Sequence, residues 1–216
     1  MWSLLRWLTG GILVFVLSAG GAGTWGYYLF IQPGPVTTET TVIIPKGAGV
    51  DRIAALLAER GLISNALVFR LGAMARDATT SLRAGEYLIP ANVSSDNVIK
   101  ILRSGKTVMR RVTVAEGLTT TEVLKRLFQI EGLTGPITSR PGEGRLLPET
   151  YHFSYGDTRE GLVQRMRVAM DKTLGELWAK RTASVPFKTP AEALVMASIV
   201  ERETGLAHER AKVAGV

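Results

Sequence analysis

The stretch TVIIPKGAGVDRIAALLAERGLI, residues 41–63, changes its hydrophobic period halfway along. Its first four residues are β-branched, which favours a strand. Pro45-Lys46-Gly47 breaks that strand. Ile53, Leu56, Leu57 and Leu62 then lie at helical spacing, and Gly61 is a natural C-cap. The stretch therefore predicts strand, glycine turn, helix. Seventy residues on, RRVTVAEGLTTTEVLKRLFQIEGL (110–133) repeats that order, with Val42 matched by Val112, Gly47 by Gly117, Ile53 by Val123 and Leu57 by Leu127. An internal duplication and a common supersecondary habit both account for the match.

Between the two copies, SNALVFRLGAMARDA predicts a helix with Ser64 or Asn65 as N-cap. LRAGEYLIPANV predicts a short strand, and SSDNVIKILRSGK a helix capped by Ser94 or Ser95 and ended by Gly105. The predicted class is α+β. Glu59, Glu86 and Glu116 stand singly beside glycines or at helix ends, where solvated surface is the expectation. This middle region predicts a binding or spacing module.

Working back to the start, MWSLLRWLTGGILVFVLSAGGAGTWGYYLFIQPGP (1–35) carries one charge, Arg6, and the next is Glu39. Trp7 to Trp25 spans roughly 27 Å of helix, about the thickness of a hydrocarbon core. Trp2, Trp7, Trp25, Tyr27 and Tyr28 match the aromatic belts of a membrane span. Arg6 and the terminal amine predict a cytoplasmic N-terminus, with everything after about residue 35 outside. LSAGGAG also fits a signal-peptide cleavage site, but the apolar run continues through WGYYLFI, which favours an uncleaved anchor. The segments expected are 1–6 in the cytoplasm, 7–31 across the membrane and 32–40 as a turn-rich linker.

The chain has 216 residues, 46% of them hydrophobic, a net charge of +7 and no cysteine. Disulfides and thiolate metal sites are excluded. The arginines are scattered and no nucleic-acid motif accompanies them, so the basic balance points to an acidic polymer, an anionic membrane or simply a solvated surface. His152 and His208 have no metal-binding spacing, so neither a metal nor another cofactor is expected.

Towards the C-terminus, GEGRLLPETYHFSYGDT (142–158) places Tyr151, Phe153 and Tyr155 in alternation beside Glu149, as a sugar platform or as one face of a strand. Arg159 to Leu177 predicts a helix. KTPAEALVMASIVERETG (188–205) predicts another, with Thr189 as N-cap, Pro190 at the first position and Glu192 completing a capping box. Ala191 to Val200 is apolar nearly all round, as in a buried helix. Glu201 shares a face with Leu194, Ala197 and Ser198. Glu203, about 200° further round, shares one with Met196, Ile199 and Val200. Periodicity does not decide which acid points inward, and a charged helix end satisfies it equally.

The anchor, VIIPKGAGVDRIAALL, LRAGEYLIP, VTVAEGLTTTEVLKRL, EGRLLPETYHF and ASIVERET occur in this order in the endolytic murein transglycosylase (MltG/YceG-like) family, which the chain resembles from about residue 5 to its end. ASIVERET is close to that family's ASIVEKET, and LPETY to its PDTY, with glutamate for aspartate. The resemblance implies a LysM-like domain at 41–106 and, at 107–216, the N-terminal part of a catalytic domain that the family continues beyond this chain. It implies a single-pass anchor in the bacterial inner membrane, with peptidoglycan strands and the wall-synthesis machinery as partners and no nucleic acid. It implies cleavage of the MurNAc–GlcNAc bond within strands, leaving 1,6-anhydro ends, with Glu201 as the catalytic acid, protonated by virtue of an apolar setting. Glu149, Tyr151, Ser198 and Glu203 are then expected at the substrate. The alternative is a tethered wall-binding module without catalysis.

Overall fold

Gly47 and Gly117 both adopt left-handed backbone, with φ of 76° and 75°, a turn that side chains other than glycine resist. Each glycine joins a strand to a helix in the computed structural model, which describes residues 2–182 and 185–215. The side chains of residues 1–6, Trp2 and Arg6 included, lie outside the described residues. The architecture is mixed α+β, and the chain divides into two compact units, Met1–Val108 and Met109–Val216.

The first unit contains α1 (Trp2–Ile31), β1 (Thr40–Ile44), α2 (Val50–Glu59), α3 (Ala66–Ala75), β2 (Gly85–Ile89) and α4 (Ser95–Ser104). Strands β1 and β2 pair antiparallel, with Val42 opposite Tyr87. A two-stranded sheet is marginal by itself. Here helices cover it, and Val42, Leu57, Phe69, Ile89 and Leu102 meet in one core. Asn65 caps α3 by accepting from the amides of Leu67 and Val68. Ser94 caps α4, and Gly105 ends it at φ 67°.

Helix α1 is joined to this unit through its C-terminal turn. Phe30 is buried in the core, and its ring lies where a Cβ on Gly72 of α3 would have to be. Arg76 stacks over the same ring, 5.8 Å from its centroid, and pairs with Asp96 of α4 at 2.8 Å. The expected linker is also pinned: Gly34 N–H donates to Val93 O and Asn92 N–H to Val36 O. The last turn of α1 is therefore packed against the rest of the first unit. From Trp7 to Tyr28 the helix still covers about 32 Å, enough for a hydrocarbon core. Among the described residues, one helix, Gly10–Ile31, is long and apolar enough to cross a membrane.

The second unit contains β3 (Met109–Thr113), α5 (Thr120–Gln129), β4 (Thr150–Ser154), α6 (Arg159–Ala179), α7 (Pro190–Glu203) and α8 (Arg210–Val213). Strands β3 and β4 pair antiparallel, with Val112 opposite Tyr151. The correspondence with the first unit extends well past the quoted stretch. Helices α2 and α5 are each ten residues long and begin seventy residues apart. Leu57 and Leu127 are both fully buried. Tyr87 and Tyr151 sit opposite the matched valines, and each hydroxyl donates to the carbonyl four residues earlier, Arg83 and Leu147. Burial pushes both phenols up. A serine or threonine then caps the following helix in each unit, Ser94 before α4 and Thr158 before α6. Agreement in strand register, turn conformation and buried tyrosine favours duplication over habit.

Loop 138–139 is held by one surface carboxylate. Glu160, in the first turn of α6, accepts from the amides of Ser139 and Thr138, and these bonds pull its carboxyl down to about 2. A depressed acid stabilises the fold above its ordinary range, near pH 4.5, and that stability is lost as pH falls towards 2. In Glu160→Gln the amides of Thr138 and Ser139 are expected to exchange faster than in the parent at pH 6. The difference should vanish near pH 2, and comparison of the two proteins at matched pH by NMR reads it.

Candidate active-site groove

Helix α7 begins as its sequence predicts and then departs from expectation. The Thr189 hydroxyl accepts from Glu192 N–H, but the Glu192 carboxylate reaches Lys188 N–H, so the capping box is not closed on Thr189. The expectation of a buried helix is also corrected, since Val200 is the one residue of α7 that is buried among those described. Val195 and Ile199 are 62% and 49% exposed. The physical reason is that the apolar residues of α7 form the wall of an open groove rather than filling a closed core.

That groove encloses about 1030 Å³ within the second unit. Three separate segments build it: the turn 114–120 before α5, the loop 143–148 before β4, and α7, with Met170 and Leu174 of α6 contributing apolar surface. The turn reaches it because Gly117 reverses the chain. The loop meets α7 because Gly144, at φ 71°, lies against Leu194, where a Cβ would stand 3.0 Å from that side chain. Its other end is tied back when Thr120 N–H donates to the Glu143 carboxylate and the Thr120 hydroxyl to Gly142 O.

Ser198, Glu201 and Glu203 all line the groove. Glu201 and Glu203 share it despite their angular separation because it wraps the C-terminal end of α7. The Ser198 hydroxyl is engaged within the helix, donating to Leu194 O at 2.9 Å. Glu149 and Tyr151 do not line the groove. Glu149 is exposed and gives its backbone carbonyl to Val114 N–H. Tyr151 is a core residue of the second unit, its ring packed with Leu127 and Phe153. The alternation around Tyr151 is thus the face of a strand.

Glu201 occupies the last turn of α7, where unpaired carbonyls disfavour a negative charge. Its side chain is 27% exposed, so the apolar burial expected for it is only partial. Arg210 of α8 meets it instead, Nη2 to Oε2 at 2.8 Å. The return of the chain is stapled one turn beyond: Thr204 N–H donates to Val200 O, and its hydroxyl donates to the Glu209 carboxylate. Thr204 therefore ends α7, holds α8 and delivers Arg210 to Glu201.

Sequence reasoning missed Arg210. Glu116, expected at solvated surface, is exposed and stands on the groove wall, whereas Glu86, given the same expectation, is buried in β2 because it sits between strand and helices. Glu143 and Arg202 line the groove too. The available signal was the pair of glycine turns, GEG at 142–144 and EG at 116–117, each setting an acid beside a reversal. No group of three or more potential metal ligands occurs among the described residues.

The YceG-like family model matches residues 42–216. An endolytic murein transglycosylase from Streptococcus pneumoniae serotype 2 is 27% identical over 251 residues, covering 94% of this chain and 45% of that protein. The protein of the same name from a second strain of that species matches equally. A crystal structure of a yceG-like protein from Listeria monocytogenes is 24% identical, covering 81% of this chain and 66% of that one, with a TM-score of 0.38. The chain thus spans less than half the length of the curated relatives it matches.

Proposed function

We propose a function from one premise: the chain belongs to the YceG-like family, whose model takes in most of it. On this reading the protein is an endolytic peptidoglycan transglycosylase that cleaves the MurNAc–GlcNAc bond inside glycan strands. Helix α1 is a single-pass anchor in the inner membrane with its N-terminus in the cytoplasm, and both units lie on the wall side. Residues 41–106 form a LysM-like domain that holds the wall, and residues 107–216 carry the catalytic groove. Proteins of wall synthesis are its neighbours there.

The observation that carries the reading is Glu201 on the wall of an open, largely apolar groove. Hydrolysis of a glycosidic bond uses two carboxyl groups, because a water molecule or an enzyme nucleophile must be activated. A transglycosylase needs one. The muramoyl C6 hydroxyl attacks C1 of the same sugar, so the reacting atoms are already joined and little orientation entropy is lost. The C1–O bond to the next sugar breaks as Glu201 gives its proton to the departing oxygen. The carboxylate then takes the proton of the C6 hydroxyl, which restores the acid and consumes no water. Arg210 holds Glu201 in the empty groove, so entry of the strand must separate this pair before the proton can be delivered. Ser198 and Glu203, on the same wall, bind the strand. Glu149 contacts glycan only beyond the groove, and Tyr151 acts by supporting β4.

The ion pair favours a second reading, in which Glu201 is a fixed structural anion and the protein binds wall glycan without cutting it. Incubation with purified strands separates the two by mass spectrometry. Fragments ending in 1,6-anhydro-muramic acid are expected. Reducing ends would make the protein a hydrolase, and uncut strands that co-sediment with it would leave only binding.

A further inference from the structure

Helix α3 is apolar except for Arg70, a composition unusual for a surface helix. One side, Phe69 and Ala73, lies in the core of the first unit. The opposite side, Leu67, Leu71 and Met74, follows i, i+4, i+7 spacing and is 53%, 52% and 53% exposed. The other surface helices of this unit do not behave so. Helix α2 turns Asp51, Arg52 and Glu59 outward, and α4 turns out Asn97, Lys100 and Arg103.

Where α3 is attached says what covers that stripe. It packs on the last turn of α1, through Gly72 against the Phe30 ring and Arg76 above it. Phe30 is two residues beyond Tyr28, about 3 Å along the helix axis. Trp25, Tyr27 and Tyr28, all exposed on α1, are the residue types that settle at the membrane–water interface. The headgroup region on each side of a bilayer is roughly 5–8 Å deep. A helix fastened at Phe30 is therefore at headgroup depth.

We propose that α3 is an interfacial helix that lays Leu67, Leu71 and Met74 into the outer surface of the bilayer spanned by α1. The inference rests on the anchor reading of α1. Arg70, on the flank of this stripe and exposed by about two-fifths, pairs with Asp51 at 3.3 Å and from there reaches lipid phosphates, while Arg76 faces the other way, over Phe30 and Asp96. With α1 socketed at Phe30 and α3 wetted by lipid, the first unit sits on the membrane as a foot and cannot swing on its tether.

The chain has no cysteine, so single nitroxide labels can be placed without background. The full chain is reconstituted in phosphatidylcholine–phosphatidylglycerol vesicles with the label at Leu71→Cys, Val16→Cys within α1 or Lys100→Cys on the polar face of α4. Collisions with oxygen, enriched in lipid, are compared with those of a water-soluble nickel chelate. The label at 71 is expected to follow that at 16, with nickel accessibility several-fold below that at 100. A lipid signature at 16 with an aqueous one at 71 overturns the interfacial helix and spares the anchor. An aqueous signature at 16 overturns both. A label at 71 shielded from both reagents also overturns the proposal, in favour of a protein partner or a second copy on α3.

Discussion

Glu201→Gln is expected to abolish strand cleavage and leave the fold unchanged. Glutamine keeps the volume of the side chain and an oxygen that still accepts from Arg210, so the staple through Thr204 and Glu209 has no reason to open. What disappears is the transferable proton. General acid–base catalysis is worth about 100- to 10,000-fold, or about 3–5 kcal/mol of barrier. Because one residue serves as acid and then base, the loss should lie at the upper end. Release of anhydro-muramic products, measured against an unchanged amide hydrogen-exchange map, is the relevant comparison. Cleavage by the glutamine variant at the parent rate would remove Glu201 from the chemistry and leave the binding-module reading standing.

Leu127→Ala and Leu57→Ala are expected to be nearly equivalent, and each severe. Both leucines are fully buried, both stand in the eighth position of a ten-residue helix, and both pack beneath an antiparallel pair of strands. Truncating a buried leucine costs about 2–5 kcal/mol, the lost transfer energy plus the cavity left behind. Small domains have about 5–15 kcal/mol in total. Amide exchange resolves the change by position, and the greatest loss of protection should appear in α2 and β1 for Leu57→Ala, and in α5 and β3 for Leu127→Ala. A large effect at one site with a negligible one at the other would show that the matched positions are not structurally equivalent, and the duplication would lose its energetic support.

Much of this is legible in the residues because it is local. The β-branched run at 41–44, the glycine at 47 and the leucine spacing that follows describe one strand, one turn and one helix, and the second copy repeats them. The cap at Thr189 was equally readable, since a cap joins residues three positions apart, and that of α4 was narrowed to Ser94 or Ser95, of which Ser94 makes the bond. The helix expected at Arg159–Leu177 runs to Ala179. Tyr151 was harder. Alternating aromatics look alike on a strand that faces a ligand and on one that faces a core, and only the hydroxyl bond to Leu147 and the packing on Leu127 decide between them.

By itself, the sequence determined the period of the longer segments, the start of α7 at Thr189, and the apolar stretch long enough to cross a membrane, but not α8. It also determined the family to which these segments belong. Only the tertiary structure decided that α7 lines a groove, that Glu201 faces Arg210, and that Phe30 is socketed against Gly72. Hydrogen bonds within a turn of helix or strand connect neighbours in the chain, so their pattern is written in short windows. A groove assembled from residues near 116, 143 and 201 depends on contacts between distant segments, and hydrophobic attraction, which has no direction of its own, leaves no periodic trace of which segments meet.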